Sequence, residues 1–376
     1  MPVDLIRINE GIDAMYSPFR YIRDIVWKGR PIHLTFFVTR RCNSKCPFCF
    51  YLRSDDIPGE TRPELSLEEI EKISSSLGSL LWLAFSGGEI FLRDDLVEIA
   101  RTFYRNNKPM IMLFPTNGLL PDVIRDRIAI IVRSCPQSVV ALKLTVDGLG
   151  ETHDALHDTP GSFDKTLQTY QAVADLIDRY PNFELGVNTV FCSENQSAMD
   201  GIIDYVRGLP YIKTHTISLV RGSLAAKRYG NVDAHKYFDA VRTLEQNLKK
   251  GKSPVYRFRG ARIKAAQDIL QRRLIYQTMS EHKRIIPCYA GRLNLVLTEG
   301  GDVFPCELLT ESFGNVRDFG YNMGKIVRSE RSRRVNISIR NNECYCTHEC
   351  YFMTNILFNI HMYPALMKEY LHLWPK

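Results

Sequence analysis

The chain has 376 residues, 45% of them hydrophobic and 24% charged, with 23 glycines and 18 prolines; that balance excludes a disordered, collagen-like or low-complexity chain and leaves material for two or three domains. The net charge of +7 is unevenly spread, because residues 221–292 carry 17 basic and 5 acidic side chains. That segment suits an anionic partner or a solvated helical linker, and no zinc-finger, RNP or helix-turn-helix signature ties it to nucleic acid. No run of 18 apolar residues exists and no apolar stretch opens the chain. Neither a spanning helix nor a secretory signal is therefore expected, and the chain is expected in the cytoplasm, where its ten cysteines read as metal ligands or catalytic groups before they read as disulfides.

Residues 1–31 are a polar and aromatic lead-in, after which a rhythm begins. Strands are expected at 33–39 (HLTFFVT), 80–86, 110–114, 139–146, 183–191 and 214–220, with helices between them at 66–77, 94–106, 122–133, 162–177 and 198–207. Ser66 with Glu69 forms a capping box for the first of these helices. Strands alternating with helices imply right-handed crossovers and a parallel sheet, hence an α/β fold. Six strands are too few for a closed eightfold barrel and suit a partial (βα)6 TIM-like one. After residue 220 the rhythm stops. Two basic amphipathic helices are expected at 233–250 and 261–278, a hairpin at 293–306 around Glu299-Gly300-Gly301-Asp302, and one aromatic amphipathic helix at 356–374 that suits core packing or a membrane surface.

The chemistry concentrates after the first strand, in TRRCNSKCPFCFY, where Cys42, Cys46 and Cys49 stand at CxxxCxxC spacing. A closed zinc site needs four ligands, whereas three thiolates on one loop can hold three corners of a [4Fe–4S] cube and leave the fourth open. Loops at the C-terminal ends of parallel strands are also where active sites lie.

This loop resembles that of the radical S-adenosylmethionine superfamily, CxxxCxΦC, with Phe48 at the aromatic position. The later motifs keep that family's order: Ser86-Gly87-Gly88-Glu89 after the second strand, Thr116-Asn117-Gly118 after the third, Thr145-Val146-Asp147-Gly148 after the fourth and Gly186-Val187-Asn188 in the fifth. The resemblance covers about residues 32–222. It implies that Cys42, Cys46 and Cys49 hold a [4Fe–4S] cluster and that Phe48, Gly87, Gly88, Glu89, Asn117, Thr145, Asp147 and Asn188 surround S-adenosylmethionine. It also implies reductive cleavage to a 5′-deoxyadenosyl radical, with a flavodoxin or ferredoxin as reductase.

Cys288 and Cys306, spaced C-x12-G-x4-C, and the run NNECYCTHEC resemble the SPASM or twitch extension that carries auxiliary clusters. The full SPASM pattern has seven cysteines and this chain has five. One auxiliary [4Fe–4S] cluster is expected on Cys288, Cys306, Cys346 and Cys350, with Cys344 as the surplus thiol, and a structural zinc site is the competing reading. The division that follows is a lead-in at 1–31, a radical core at 32–222, a basic helical bridge at 223–284, and a small α+β Fe–S domain at 285–376.

Cys135 and Cys192 read as buried small hydrophobes. Asp154 and Asp158 read as caps, with their histidines His153 and His157 as alternative contacts to cofactor or substrate. His348 reads as a cap or surface residue, and Tyr289, Tyr345 and Tyr351 as packing around the second cysteine group. The short lead-in leaves no room for a peptide-binding module and favours an anionic non-peptide small molecule. A peptide-modifying enzyme and a non-catalytic Fe–S or zinc scaffold are the alternatives.

Overall fold

The computed structural model describes residues 15–52, 62–222, 226–254, 256–341 and 344–373. The alternating units fold as the sequence predicts. They are β1 (His33–Thr39), α1 (Leu67–Ser75), β2 (Trp82–Gly87), α2 (Leu96–Asn107), β3 (Ile111–Thr116), α3 (Pro121–Ser134), β4 (Val139–Thr145), α4 (Glu151–His157), α5 (Ser162–Val173), β5 (Phe183–Phe191), α6 (Met199–Arg207) and β6 (Thr214–Leu219). Strands β1 to β6 pair in parallel and in chain order. This is an open, partial βα barrel, followed by a mainly helical C-terminal region. The period-two pattern assigns the faces. On β4, Val140, Leu142 and Leu144 join the core under the helices. Ala141, Lys143 and Thr145 instead line the barrel cavity. The capping box forms: Ser66 Oγ accepts from Glu69 N at 3.2 Å and Glu69 Oε2 accepts from Ser66 N at 2.9 Å.

The chain then adds α7 (Ala234–Lys249), α8 (Ala261–Glu281), β7 (Asn294–Leu297), β8 (Asp302–Phe304), β9 (Gly314–Asn315), α9 (Glu330–Arg340), α10 (Glu349–Leu357) and α11 (Tyr363–His372). The expected hairpin is β7–β8, and it is joined to the barrel, because β7 lies parallel to β1 with His33 opposite Asn294. Among the described residues the result is one sheet of nine strands, ordered β6-β5-β4-β3-β2-β1-β7-β8-β9. Glu69 fastens the C-terminal region to α1 through Arg317 at 2.7 Å and the Tyr321 hydroxyl at 3.0 Å, and its bond to Arg317, first among several, holds its carboxyl down at about 2.

Two helices differ from expectation. α7 is amphipathic, burying Tyr237, Ala240, Val241 and Leu244 at helical spacing. α8 buries every residue from Ala265 to Leu270 and also Gln271, because it is packed between α7, α10 and α11 while its Lys264, Asp268 and Gln271 close the side of the barrel cavity. The single helix expected at 356–374 is two. Asn359 breaks the run by accepting from His361 N at 3.2 Å, and Pro364 opens α11. Among the described residues no helix is long and apolar enough to cross a membrane.

Candidate active site

The cysteine loop leaves β1 and is clamped at once by the glycine turn that ends β2. Gly88 N donates to Thr39 O at 2.8 Å and Glu89 N to Arg41 O at 2.9 Å. Gly87 has φ +131°, open to glycine alone, and a Cβ on it would lie 2.3 Å from Thr39 O. The two motifs are therefore in backbone contact.

The thiols of Cys42, Cys46 and Cys49 are partly exposed. Asn117 Nδ2 lies 3.9 Å from Cys42 Sγ and donates to Asn43 Oδ1 at 2.8 Å. Leu52 N donates to Cys49 Sγ at 3.3 Å. Around Cys46 stand Ser44 Oγ at 3.1 Å and His157 Nδ1 at 3.3 Å. The other ring nitrogen of His157 lies 3.0 Å from Asp147 Oδ2, and His153 stacks on it with ring centroids 4.1 Å apart. Burial alone would lower the His157 pKa, but its bonds to Asp147 and Cys46 carry it up to about 10. Burial pushes the Cys42 thiol up to about 11. Phe48 packs with Leu156, Cys192 and Tyr229 in a small apolar cluster beside the loop.

Two expected cofactor contacts have their carboxylates already engaged. Glu89 is buried and accepts from Phe91 N (3.1 Å), Asn117 N (2.9 Å) and Thr116 Oγ1 (3.0 Å); burial lifts its pKa to about 7. It holds the TNG turn against the GGE turn. Asp147 is fully buried and accepts from Val190 N at 2.6 Å besides facing His157. Thr145 and Asn188, in contrast, line the barrel cavity. Asp154 caps α5 as expected, accepting from Phe163 N and Ser162 Oγ at 2.8 Å each.

Below the loop the barrel holds an open-mouthed cavity of about 230 Å³. At its rim Arg221 bridges Glu307 and Glu349 at 3.2 Å each and lies over the Phe50 ring at 5.1 Å. His348 Nε2 lies 2.8 Å from Glu307, so this residue is a buried cap of α10 rather than a surface one. The charge network links the first cysteine loop to the residues that follow Cys306 and precede Cys350. Sequence reading passed over it, although the signal was available as an acid directly beside each of those two cysteines.

The second cysteine group divides. Cys288, Cys306, Cys344 and Cys346 line one pocket with Arg284, Tyr345, Tyr351 and Asn355. Arg284 Nη2 donates to Cys344 Sγ at 3.0 Å. Burial raises the thiols of Cys288, Cys306 and Cys346. Cys350, expected with them, lines the barrel cavity instead. The cause is local: Cys346 precedes the His348 cap, whereas Cys350 lies in the first turn of α10 and is carried round by it. Among the described residues no three His, Cys, Asp or Glu side chains converge on one ion. Cys135 and Cys192 are buried, as expected.

Comparison with known proteins gives three kinds of match. Residues 36–206 match the Radical SAM superfamily. The AdoMet-dependent heme synthase of Methanosarcina barkeri is 25% identical over 305 residues, 78% of this chain and 82% of that one. The antilisterial bacteriocin subtilosin biosynthesis protein AlbA of Bacillus subtilis is 26% identical over 295 residues, 76% of this chain and 57% of that one. The crystal structure of Streptococcus suis SuiB bound to S-adenosylmethionine shares the fold with a TM-score of 0.58 at 13% identity, covering 84% of this chain and 72% of that one.

Proposed function

Because residues 36–206 form a radical S-adenosylmethionine domain, which uses a [4Fe–4S] cluster and S-adenosylmethionine, we propose that the chain abstracts hydrogen from an anionic, non-peptide substrate held in the barrel cavity. The observation that carries this reading is the backbone clamp between the cysteine loop and the Gly88-Glu89 turn, which follows the cavity-lining Ser86. The donor set fits a cube with one open iron: three partly exposed thiols on a single loop. When bound at Cys42, Cys46 and Cys49, the cluster supplies the low-potential electron that opens the sulfonium bond.

The chain's own groups prepare the place. Gly87 and Gly88 let backbone approach the ligand, and Asn117 steadies the Cys42 side of the loop. His157, oriented by Asp147, directs a ring nitrogen at Cys46 and offsets thiolate charge, a lever on cluster potential. Phe48 and its apolar neighbours keep water from the loop. Thr145 and Asn188 face the cavity where a ribose would lie. A flavodoxin or ferredoxin would deliver the electron.

The substrate reading draws on two observations. One relative, matched over 78% of this chain and 82% of its own, is named an AdoMet-dependent heme synthase, and heme is a tetrapyrrole with carboxylate side chains. The basic segment 221–292 supplies Lys264, which lines the cavity. Peptide modification is the second reading, favoured by AlbA. In an anaerobic assay with dithionite and S-adenosylmethionine, an iron tetrapyrrole bearing carboxylate side chains should accelerate 5′-deoxyadenosine release. Acceleration by ribosomal precursor peptides alone would reverse the choice.

For the auxiliary cluster we propose Cys288, Cys306, Cys344 and Cys346 as ligands, since these four share a pocket and Cys350 does not. Iron and sulfide counts test it. Cys344→Ala should lose about half of the bound iron, the share of one cube of two, while Cys350→Ala keeps it all. The opposite pattern would restore Cys350 to the ligand set.

A further inference from the structure

Lys143 occupies an inward position on β4, one cavity-facing residue below Thr145. Its ammonium reaches across the neighbouring strand: Nζ donates to Thr214 Oγ1 and, at 3.3 Å, to Thr216 Oγ1, both on β6. Gly186, opposite Lys143 in the β4–β5 register, makes the crossing possible, since a Cβ there would stand 2.5 Å from Nζ. An ammonium has three N–H donors, and two are used.

The charge has no carboxylate in direct contact among the described residues, although Asp268 and Glu184 act on it from farther off. Four acids line the same cavity: Glu307 and Glu349 are bridged by Arg221, and Asp268 and Glu184 have partners of their own. Asp268 is paired with Lys264 and accepts from the Tyr256 hydroxyl at 2.8 Å. Glu184 accepts from Arg257 N at 2.7 Å, with that guanidinium at 3.8 Å. Among the described residues no carboxylate oxygen stands within 4.0 Å of Lys143 Nζ. The side chain is partly buried, and burial, reinforced by Lys264 and Arg272 and opposed by Asp268 and Glu184, lowers its pKa to about 7. A buried cation without a partner is expensive, and a bound anion would remove that cost. The walls nearby are apolar and aromatic: Trp82, Ile111, Val139 and Phe258.

We propose that Lys143, braced by Thr214 and Thr216 over Gly186, is an anchor for a carboxylate carried on an apolar or aromatic body. The Lys143 site would give an anionic substrate a defined contact inside the barrel. It rests on the reading of the barrel cavity as the substrate site, and the two can fail separately.

The test uses the full chain and a matched pair of probes, benzoate and its neutral isostere benzamide, with binding followed by thermal shift and calorimetry. Benzoate should bind more tightly than benzamide. Lys143→Met should weaken benzoate at least about tenfold, as loss of a buried charge partner does, and leave benzamide unchanged. Lys143→Arg should keep the preference, and its melting curve controls for loss of fold. Equal binding of the two probes, or a preference for benzoate that survives in Lys143→Met, would overturn the anchor. A Lys143-dependent benzoate site that does not compete with substrate-stimulated 5′-deoxyadenosine release would keep the anion site but overturn its role in holding substrate.

Discussion

Gly88→Ala is expected to reduce 5′-deoxyadenosine release to background and to strip iron from the first cysteine loop, while leaving the barrel folded. A Cβ on Gly88 would stand 2.1 Å from Arg41 O, 2.6 Å from Arg41 C and 2.9 Å from Arg40 O. All three atoms are backbone at the start of the cysteine loop, so no flexible side chain can yield. The loop must move away, and two hydrogen bonds go with it, Gly88 N to Thr39 O and Glu89 N to Arg41 O. Each such bond contributes about 1 kcal/mol and the overpacking costs about 1–3 kcal/mol, so the fold survives but the register between loop and turn does not. Iron content, far-ultraviolet circular dichroism and product release, measured on one preparation, separate these effects. A Gly88→Ala protein with full iron and wild-type release would show that the turn does not position the loop.

The barrel was legible because two periods run through it. Alternation along VVALKLT placed β4, and Ser66 with Glu69 placed the start of α1. Loop chemistry was legible as well, since CxxxCxxC and GGE are local in sequence and adjacent in space. What escaped was set by tertiary packing. α8 looked amphipathic because charges repeat along it, but some of those charges point into the cavity. Asp147 and Glu89 are expected beside S-adenosylmethionine from the family resemblance of their motifs. In the fold they hold His157 and the TNG turn instead. Spacing groups Cys350 with Cys346, and in the fold the two line different cavities. Lys143 left a signal that went unread: a lysine at an inward position of an otherwise apolar strand must be answered by something in the barrel.

The second large effect concerns the three thiols themselves. Cys42, Cys46 and Cys49 are partly exposed and lie on one loop, unlike the two buried cysteines, and each is contacted by a polar neighbour, Asn117, His157 or Leu52 N. A thiol raised by burial, as Cys42 is, must lose its proton to act as a ligand, and a bound metal's charge favours that loss. Removing all three should therefore take away the first cluster entirely and leave the pocket of Cys288, Cys306, Cys344 and Cys346 untouched, because the two groups share no ligand. The decisive measurement compares the anaerobically reconstituted, dithionite-reduced chain with its Cys42→Ala/Cys46→Ala/Cys49→Ala variant, S-adenosylmethionine being added to both. The account predicts 5′-deoxyadenosine from the first, none above background from the variant, and a variant that keeps about half the iron. Equal release from both proteins, or none from either, would contradict it.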